Sequence, residues 1–150
     1  MEQIIQLNSQ AKLSEHFTLG EMTTSNHKEV YNIPSHEAIA NLKRLCGWLE
    51  VLRKRAGTPI RINSGYRSPQ LNRKIGGAPT SNHLTGCACD IRVAGMEQAI
   101  RYATILLNYS QESNQDFDEL LIERNRFGAI WVHFAVRPSG NRRKVLFINA

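Results

Sequence analysis

Between Ser35 and Gly57 the apolar residues Ala38, Leu42, Leu45, Leu49, Leu52 and Ala56 recur at spacings of three and four, and no other segment constrains the fold as tightly. That period lays one apolar stripe along a helix. Ser35 stands where an N-cap is wanted and Gly57 where a left-handed stop is wanted, so both ends are marked. A helix of this length must bury its stripe against another layer. The rest of the chain offers short alternating segments for that purpose. "PIRINSGY" sets Ile60 and Ile62 on one side, and residues 87–93 alternate. "FDELLIE" (117–123), "WVHFAV" (131–136) and "KVLFI" (144–148) read as three strands joined by turns. Met96 to about Leu107 interrupts them with a second helical pattern. This order predicts an α+β domain: a small antiparallel sheet, its last three strands a meander, flanked by helices.

Smaller signals fill the gaps. Thr18 and Glu21 in "TLGEM" have the spacing of a capping box. Ser68-Pro69 opens a short helix that closes at Gly76-Gly77, and "APTSNHLTG" is irregular. A chain of 150 residues without repeats or low-complexity linkers suits a single domain over 1–150, with 1–12 as an N-terminal extension. No apolar run is long enough to span a bilayer, so membrane insertion is not expected. "MEQIIQLNSQ" lacks the basic start and apolar core of a cleaved signal, which points to synthesis in the cytoplasm. The net charge of +6 and pI near 9.5 suit an anionic partner. Outside residues 53–55 and 141–144 the basic residues are scattered, and neither zinc-finger spacing nor an aromatic-basic RNA signature occurs, so nucleic acid is not expected. Cys46, Cys87 and Cys89 are an odd set, and reduced thiols are the default.

The chemistry concentrates in "SNHLTGCACDI", Ser81 to Ile91. In an extended strand Cys87 and Cys89 share a face with Ile91 and Val93, the core side, where they act as small hydrophobes. Asp90 faces the other way, beside Gly86 and Ala88. A carboxylate in mid-strand is disfavoured, so this one asks for a function. His83 precedes it across a bend that Gly86 permits. His133 lies on "WVHFAV" with Trp131 and Ala135, while Val132 and Phe134 point oppositely. Two imidazoles and a carboxylate gathered from two strands would make an open zinc site with a position left for water. On spacing alone, His133 also fits an ordinary hydrogen-bonded strand histidine.

The run from Ser64 to Ile91 resembles the signature of zinc peptidases of the D-Ala-D-Ala carboxypeptidase and phage-lysin type, an M15-like group related in fold to the hedgehog signalling domain. The resemblance rests on Ser64 to Ser68 ("SGYRS"), on Ser81, His83, Gly86, Ala88 and Asp90, and on Trp131 to His133. "FTLGEM" and the helix ending in "RKRAGTPIRI" extend it over roughly residues 13–148. It implies a hedgehog/DD-peptidase-like fold and Zn2+ held by His83, Asp90 and His133. It also implies hydrolysis of peptide bonds in peptidoglycan stem peptides, as a D-Ala-D-Ala carboxypeptidase or a lysin-type endopeptidase. Arg67 resembles the arginine that meets the substrate backbone or carboxylate. Ser81 is expected to orient the site, and Trp131 to wall the cleft or simply to fill core.

One position departs from the pattern. Several relatives carry an acidic general base three residues before the last ligand histidine, where this chain has Ile130. Glu123, at the end of "FDELLIE", is the nearest candidate, and Glu119 on the same strand face is the second; Glu123 also fits a solvated strand end. Ile130 therefore keeps a second reading open, a catalytically inactive, zinc-stabilised module binding cell wall or protein. His16, His27 and His36 lie outside any ligand pattern. "NRRK" (141–144) reads as a hairpin turn, solvated or set against an anionic glycan. A monomer whose partner is a peptidoglycan peptide is expected, released to the cell wall through a separate lysis pore as phage lysins are.

Overall fold

The computed structural model describes residues 8–149. Most of the N-terminal extension, and most of the segment read for a signal, lies in 1–7, outside the described residues. The chain from residue 8 onward is tied to the body: Leu19 N donates to the Ala11 carbonyl (2.8 Å) and Gly20 N to that of Ser9 (2.9 Å). Strands β1 (Lys12–Ser14) and β2 (Phe17–Thr18) pair antiparallel. Helix α1 (Leu19–Met22) starts in the expected capping box, with Thr18 N donating to the Glu21 carboxylate and Glu21 N to the Thr18 hydroxyl. Helix α2 (His36–Ala56) begins at Ser35, whose hydroxyl accepts from Ala38 N, and ends at Gly57 with φ 71°. Then come β3 (Ile62–Ser64), α3 (Pro69–Lys74), a 3-10 turn (Asn82–Thr85), β4 (Ala88–Arg92) and α4 (Met96–Ser113). The chain closes with β5 (Glu119–Arg124), β6 (Ile130–Ala135) and β7 (Lys144–Asn149). Helix α4 runs past Leu107 because its buried stripe of Ala99, Tyr102 and Leu106 continues to Ser110, and it stops at Asn114 in the left-handed region. No helix among the described residues is long and apolar enough to cross a membrane.

The main sheet has the order β3-β4-β6-β5-β7. Neighbours pair antiparallel except β7, which runs parallel to β5. This corrects the expectation of a purely antiparallel sheet ending in a meander. The edge of β6 that a meander needs is taken by β4, and β7 joins at the free edge of β5 instead. To reach it, the chain after Ala135 crosses the start of β5, where Arg143 N donates to the Phe117 carbonyl (3.0 Å) and Lys144 N to that of Asp118 (2.9 Å). Residues 141–144 are thus the end of a crossover and not a hairpin turn.

Strand parity sorts the two faces of the sheet. Cys89, Ile91, Leu120, Ile122, Val132 and Phe134 are buried in one cluster with Leu42, Leu45, Leu49 and Leu52 of α2 and Leu106 of α4. Trp48 sits among Tyr109, Phe134 and Phe117, with ring centroids 5.1, 5.3 and 6.4 Å away. Burying each such leucine contributes about 1.5–3 kcal/mol, and a Leu45→Ala change would cost about 2–5 kcal/mol. Cys46, Cys87 and Cys89 are free and buried, as core residues should be. Burial pushes the Cys46 thiol up to about 12. The opposite face of the sheet opens into a cleft of about 490 Å³.

Candidate metal centre

Three elements aim three side chains at one point in that cleft. Ser81 caps the 3-10 turn, its hydroxyl accepting from His83 N (3.1 Å). Gly86 ends the turn with φ 77°, and a Cβ there would meet the Ala38 carbonyl oxygen of α2. Only glycine lets the turn lie this close to the helix in that conformation, and the close fit points His83 inward. Asp90 on β4 and His133 on β6 are directly opposed in the antiparallel register, which places their side chains together on one face. All three are buried, and one potential ligand atom from each lies within 4.8 Å of the other two.

The ring nitrogens are sorted by their partners. His83 Nδ1 is 2.6 Å from the Gly65 carbonyl oxygen, which can only accept, so Nδ1 carries the hydrogen and Nε2 faces Asp90 Oδ1 at 3.4 Å. His133 turns Nδ1 to Asp90 Oδ1 (3.1 Å) and Nε2 to Glu119 Oε1 (2.8 Å). Each imidazole therefore has one nitrogen held by an outer oxygen and the other directed at the cluster. Metal-ligating histidines are held in this way, because the outer acceptor fixes both tautomer and ring plane. The donor set of two imidazoles and one carboxylate suits zinc. Burial pushes the His133 imidazole down, but hydrogen bonds to and charges on Asp90 and Glu119 outweigh it and raise its pKa to about 9. Burial likewise pushes Asp90 up, and the two histidines more than reverse that, leaving its carboxyl well below the usual range.

The surrounding carboxylates divide into two jobs. Glu119 is spent on His133 Nε2 and on Asn82 Nδ2 (2.8 Å each), which holds it on the far side of the ring from the cluster. Glu123 lies opposite Trp131 in the β5–β6 register, and its Oε2 is 4.0 Å from His133 Nδ1, the nitrogen on the cluster side. Burial raises the Glu123 pKa, against the pull of His133. Ile130 is on the other face of β6, among residues packed against the core. Trp131 lines the cleft. Arg67 lines it too, but its guanidinium is committed: Nε donates to Ser64 Oγ (3.2 Å), Nη1 to Asn72 Oδ1 (3.4 Å) and Nη2 to Asp90 Oδ2 (3.2 Å). His16, bonded to Glu50, and His27, beside Glu29, stand apart from the cluster, as does His36 at the start of α2.

Of a second group of residues the sequence reading singled out only Arg142, within 141–144. Asp118 is fully buried and accepts from Arg142 through N (3.0 Å), Nε (3.0 Å) and Nη2 (2.7 Å), and from Asn82 Nδ2 (2.8 Å). Arg137 Nε donates to Asn82 Oδ1 (3.0 Å). Asn82 immediately precedes His83, so this network anchors the turn that carries it. A carboxylate directly after Phe117, at the entrance to a buried strand, was the available signal.

A family model described as Peptidase M15 matches residues 15–128, a span that contains Arg67, His83, Asp90, Glu119 and Glu123 and ends before His133. No curated protein matches the chain.

Proposed function

The chain belongs to the peptidase M15 family, and on that premise we propose that it is a zinc metallopeptidase hydrolysing peptide bonds in peptidoglycan stem peptides, with His83, Asp90 and His133 as metal ligands. The observation that carries this reading is the pair of outer acceptors, the Gly65 carbonyl and Glu119, each holding one histidine with its other nitrogen turned inward. Zinc held there would lower the pKa of a coordinated water toward about 7 and polarise the carbonyl of the scissile bond.

The chain's own residues supply the rest. Glu123 takes the proton of the attacking water and returns it to the departing amine; its raised pKa suits a group that must both accept and release. Arg67 steadies Asp90 through the 3.2 Å contact between Nη2 and Oδ2. Ser81 holds the turn that presents His83, and Trp131 walls the cleft beside Glu123. Ile130 is the one feature that favours an inactive binding module, and Glu123 on the cleft side answers it. Digestion of purified peptidoglycan, with and without chelator and after zinc is restored, tests the proposal. Release of D-alanine or of cleaved stem peptide that stops with chelator supports it and names the bond. Adsorption to the polymer without any new peptide product would favour the binding module.

A further inference from the structure

The cleft has a second pole, and it is cationic. Arg137, Arg142 and Lys144 line the same cavity as the histidine cluster, on the side of Glu119. Arg142 Nη2 is 3.5 Å from Glu119 Oε2, and Glu119 Oε1 in turn meets His133, so one side chain separates this pole from the cluster. Arg142 and Arg137 share the buried carboxylate of Asp118, which bonds Arg142 and lies 3.3 Å from Arg137 Nε, while Lys144 has no ion pair among the described residues. Asp118 does more than offset charge. Its two bonds to Nε and Nη2 fix the plane of the Arg142 guanidinium, and Asn82 holds Arg137 by Nε alone. Arg142 Nη1, both Nη atoms of Arg137 and the Lys144 ammonium have no hydrogen-bond partner among the described residues. The fixed plane of Arg142, with Nη1 idle, beside the idle Nη pair of Arg137 suits a carboxylate, whose two oxygens match that fork.

Arg67 offers the opposite case. Each of its three nitrogens already has an oxygen acceptor, and its side chain is only 14% exposed. A substrate carboxylate would find there only the second hydrogens of Nη1 and Nη2, on a charge that Asp90 already offsets. Resting on the peptidase reading above, we propose that Arg137, Arg142 and Lys144 form the anion-binding subsite of the cleft. The protein accordingly takes peptides bearing a free carboxylate at that subsite. In a stem peptide the carboxylate has two sources, the C-terminus and the α-carboxylate of a γ-linked glutamate.

Calorimetric binding to the zinc-loaded Glu123→Gln protein separates them. The probes are acetyl-L-Ala-γ-D-Glu-L-Lys-D-Ala-D-Ala with both carboxylates free, its C-terminal amide, and its glutamate α-amide. The free peptide is expected to bind about ten-fold or more tighter than one of the amides, the worth of a hydrogen-bonded charge, and the weaker amide identifies the carboxylate held. In the same background Arg137→Gln and Lys144→Gln should each shrink that ratio toward one. Lys144 has no ion pair among the described residues and is exposed, so its variant still answers if loss of Arg137 disturbs folding. Equal binding of all three peptides, no binding of any, or a ratio unchanged in both variants overturns the proposal. If wild-type protein cleaves the free peptide but binds without discrimination, this inference fails alone. If it discriminates without ever cleaving, the peptidase reading fails and the subsite stands.

Discussion

Replacing Asp118 by asparagine tests whether the buried carboxylate network holds the site's framework. The side chain is fully buried, and burial by itself would push its pKa up. Hydrogen bonds from Arg142 and Asn82 and the charge of Arg137 overcome that and lower it from 3.8 to about 2. At roughly 1.36 kcal/mol per pKa unit, the folded state gains about 2 kcal/mol at neutral pH from this one ionisation. Asparagine keeps an acceptor oxygen but loses the charge and sets an NH2 against guanidinium donors. Breaking a buried pair outright costs about 3–5 kcal/mol. The Arg142 side chain is 48% exposed, however, so water can take over part of its interaction. Asp118→Asn should therefore cost about 2–3 kcal/mol at pH 7. The pH dependence has a definite sign. A depressed carboxyl pKa contributes fully above 3.8 and is lost as pH falls toward about 2. Urea unfolding of metal-free wild type and variant, from pH 7 down to pH 2, should show two stability curves that are parallel above about pH 5 and converge below about pH 4. A difference under about 0.5 kcal/mol at pH 7, the ordinary surface value, or one that does not narrow in acid, would refute the argument.

Other perturbations address the centre itself. Glu123→Gln should keep fold and zinc yet lose two to four powers of ten in rate, roughly the worth of a general base; near-normal turnover would end the assignment. His83→Ala should lose most of the zinc by elemental analysis, while a Cys87→Ser/Cys89→Ser double variant keeps it; the reverse result would make the cysteines the ligands. Zinc added to metal-free protein near pH 6, below the pKa of about 7 of a zinc-bound water, should release about one proton per metal, read with a pH indicator, because a ligand must be deprotonated and the pKa of His133 is raised to about 9. Since that pKa is raised from 6.5, the His133 contribution to metal-free stability is full below pH 6.5 and lost as pH rises through about 9. Zinc affinity should accordingly climb across the same window, and a flat profile would mean that His133 is neutral throughout.

What the sequence discloses about this fold depends on the distance over which each signal acts. Helix α2 was legible to within a residue at both ends because its stripe and its caps are local. The pairing of the outer strand was not, since its partner depends on which sheet edge remains free once β4 has paired with β6. Parity along β4, β5 and β6 put Asp90, His133, Glu119 and Glu123 on one face without any coordinates. Parity could not separate the positions of the two glutamates around His133. That needed the register, in which Glu119 lies opposite Ala135, small enough for the carboxylate to reach past it to His133 Nε2, and Glu123 lies opposite Trp131. Asp118, Asn82, Arg137 and Arg142 come from three separate segments and leave no periodic trace.

The same register explains why the centre is held firmly although nothing covalent fixes it. Asp90 and His133 stand in a run of five consecutive pairs between β4 and β6, from Ala88 opposite Ala135 to Arg92 opposite Trp131. Slipping β6 by one residue would turn His133 and Trp131 into the helix layer and expose Val132 and Phe134, which are now fully buried. Exposing each of those two costs about 1.5–3 kcal/mol, before the cost of burying an imidazole without partners. Together these are comparable to the whole stability of a typical domain, about 5–15 kcal/mol. The apolar side of the strand therefore sets the position of Asp90 and His133 on the other side. Core substitutions at Val132 or Phe134, remote from the cleft, should consequently weaken zinc binding to the candidate site, read by metal titration, before they unfold the protein.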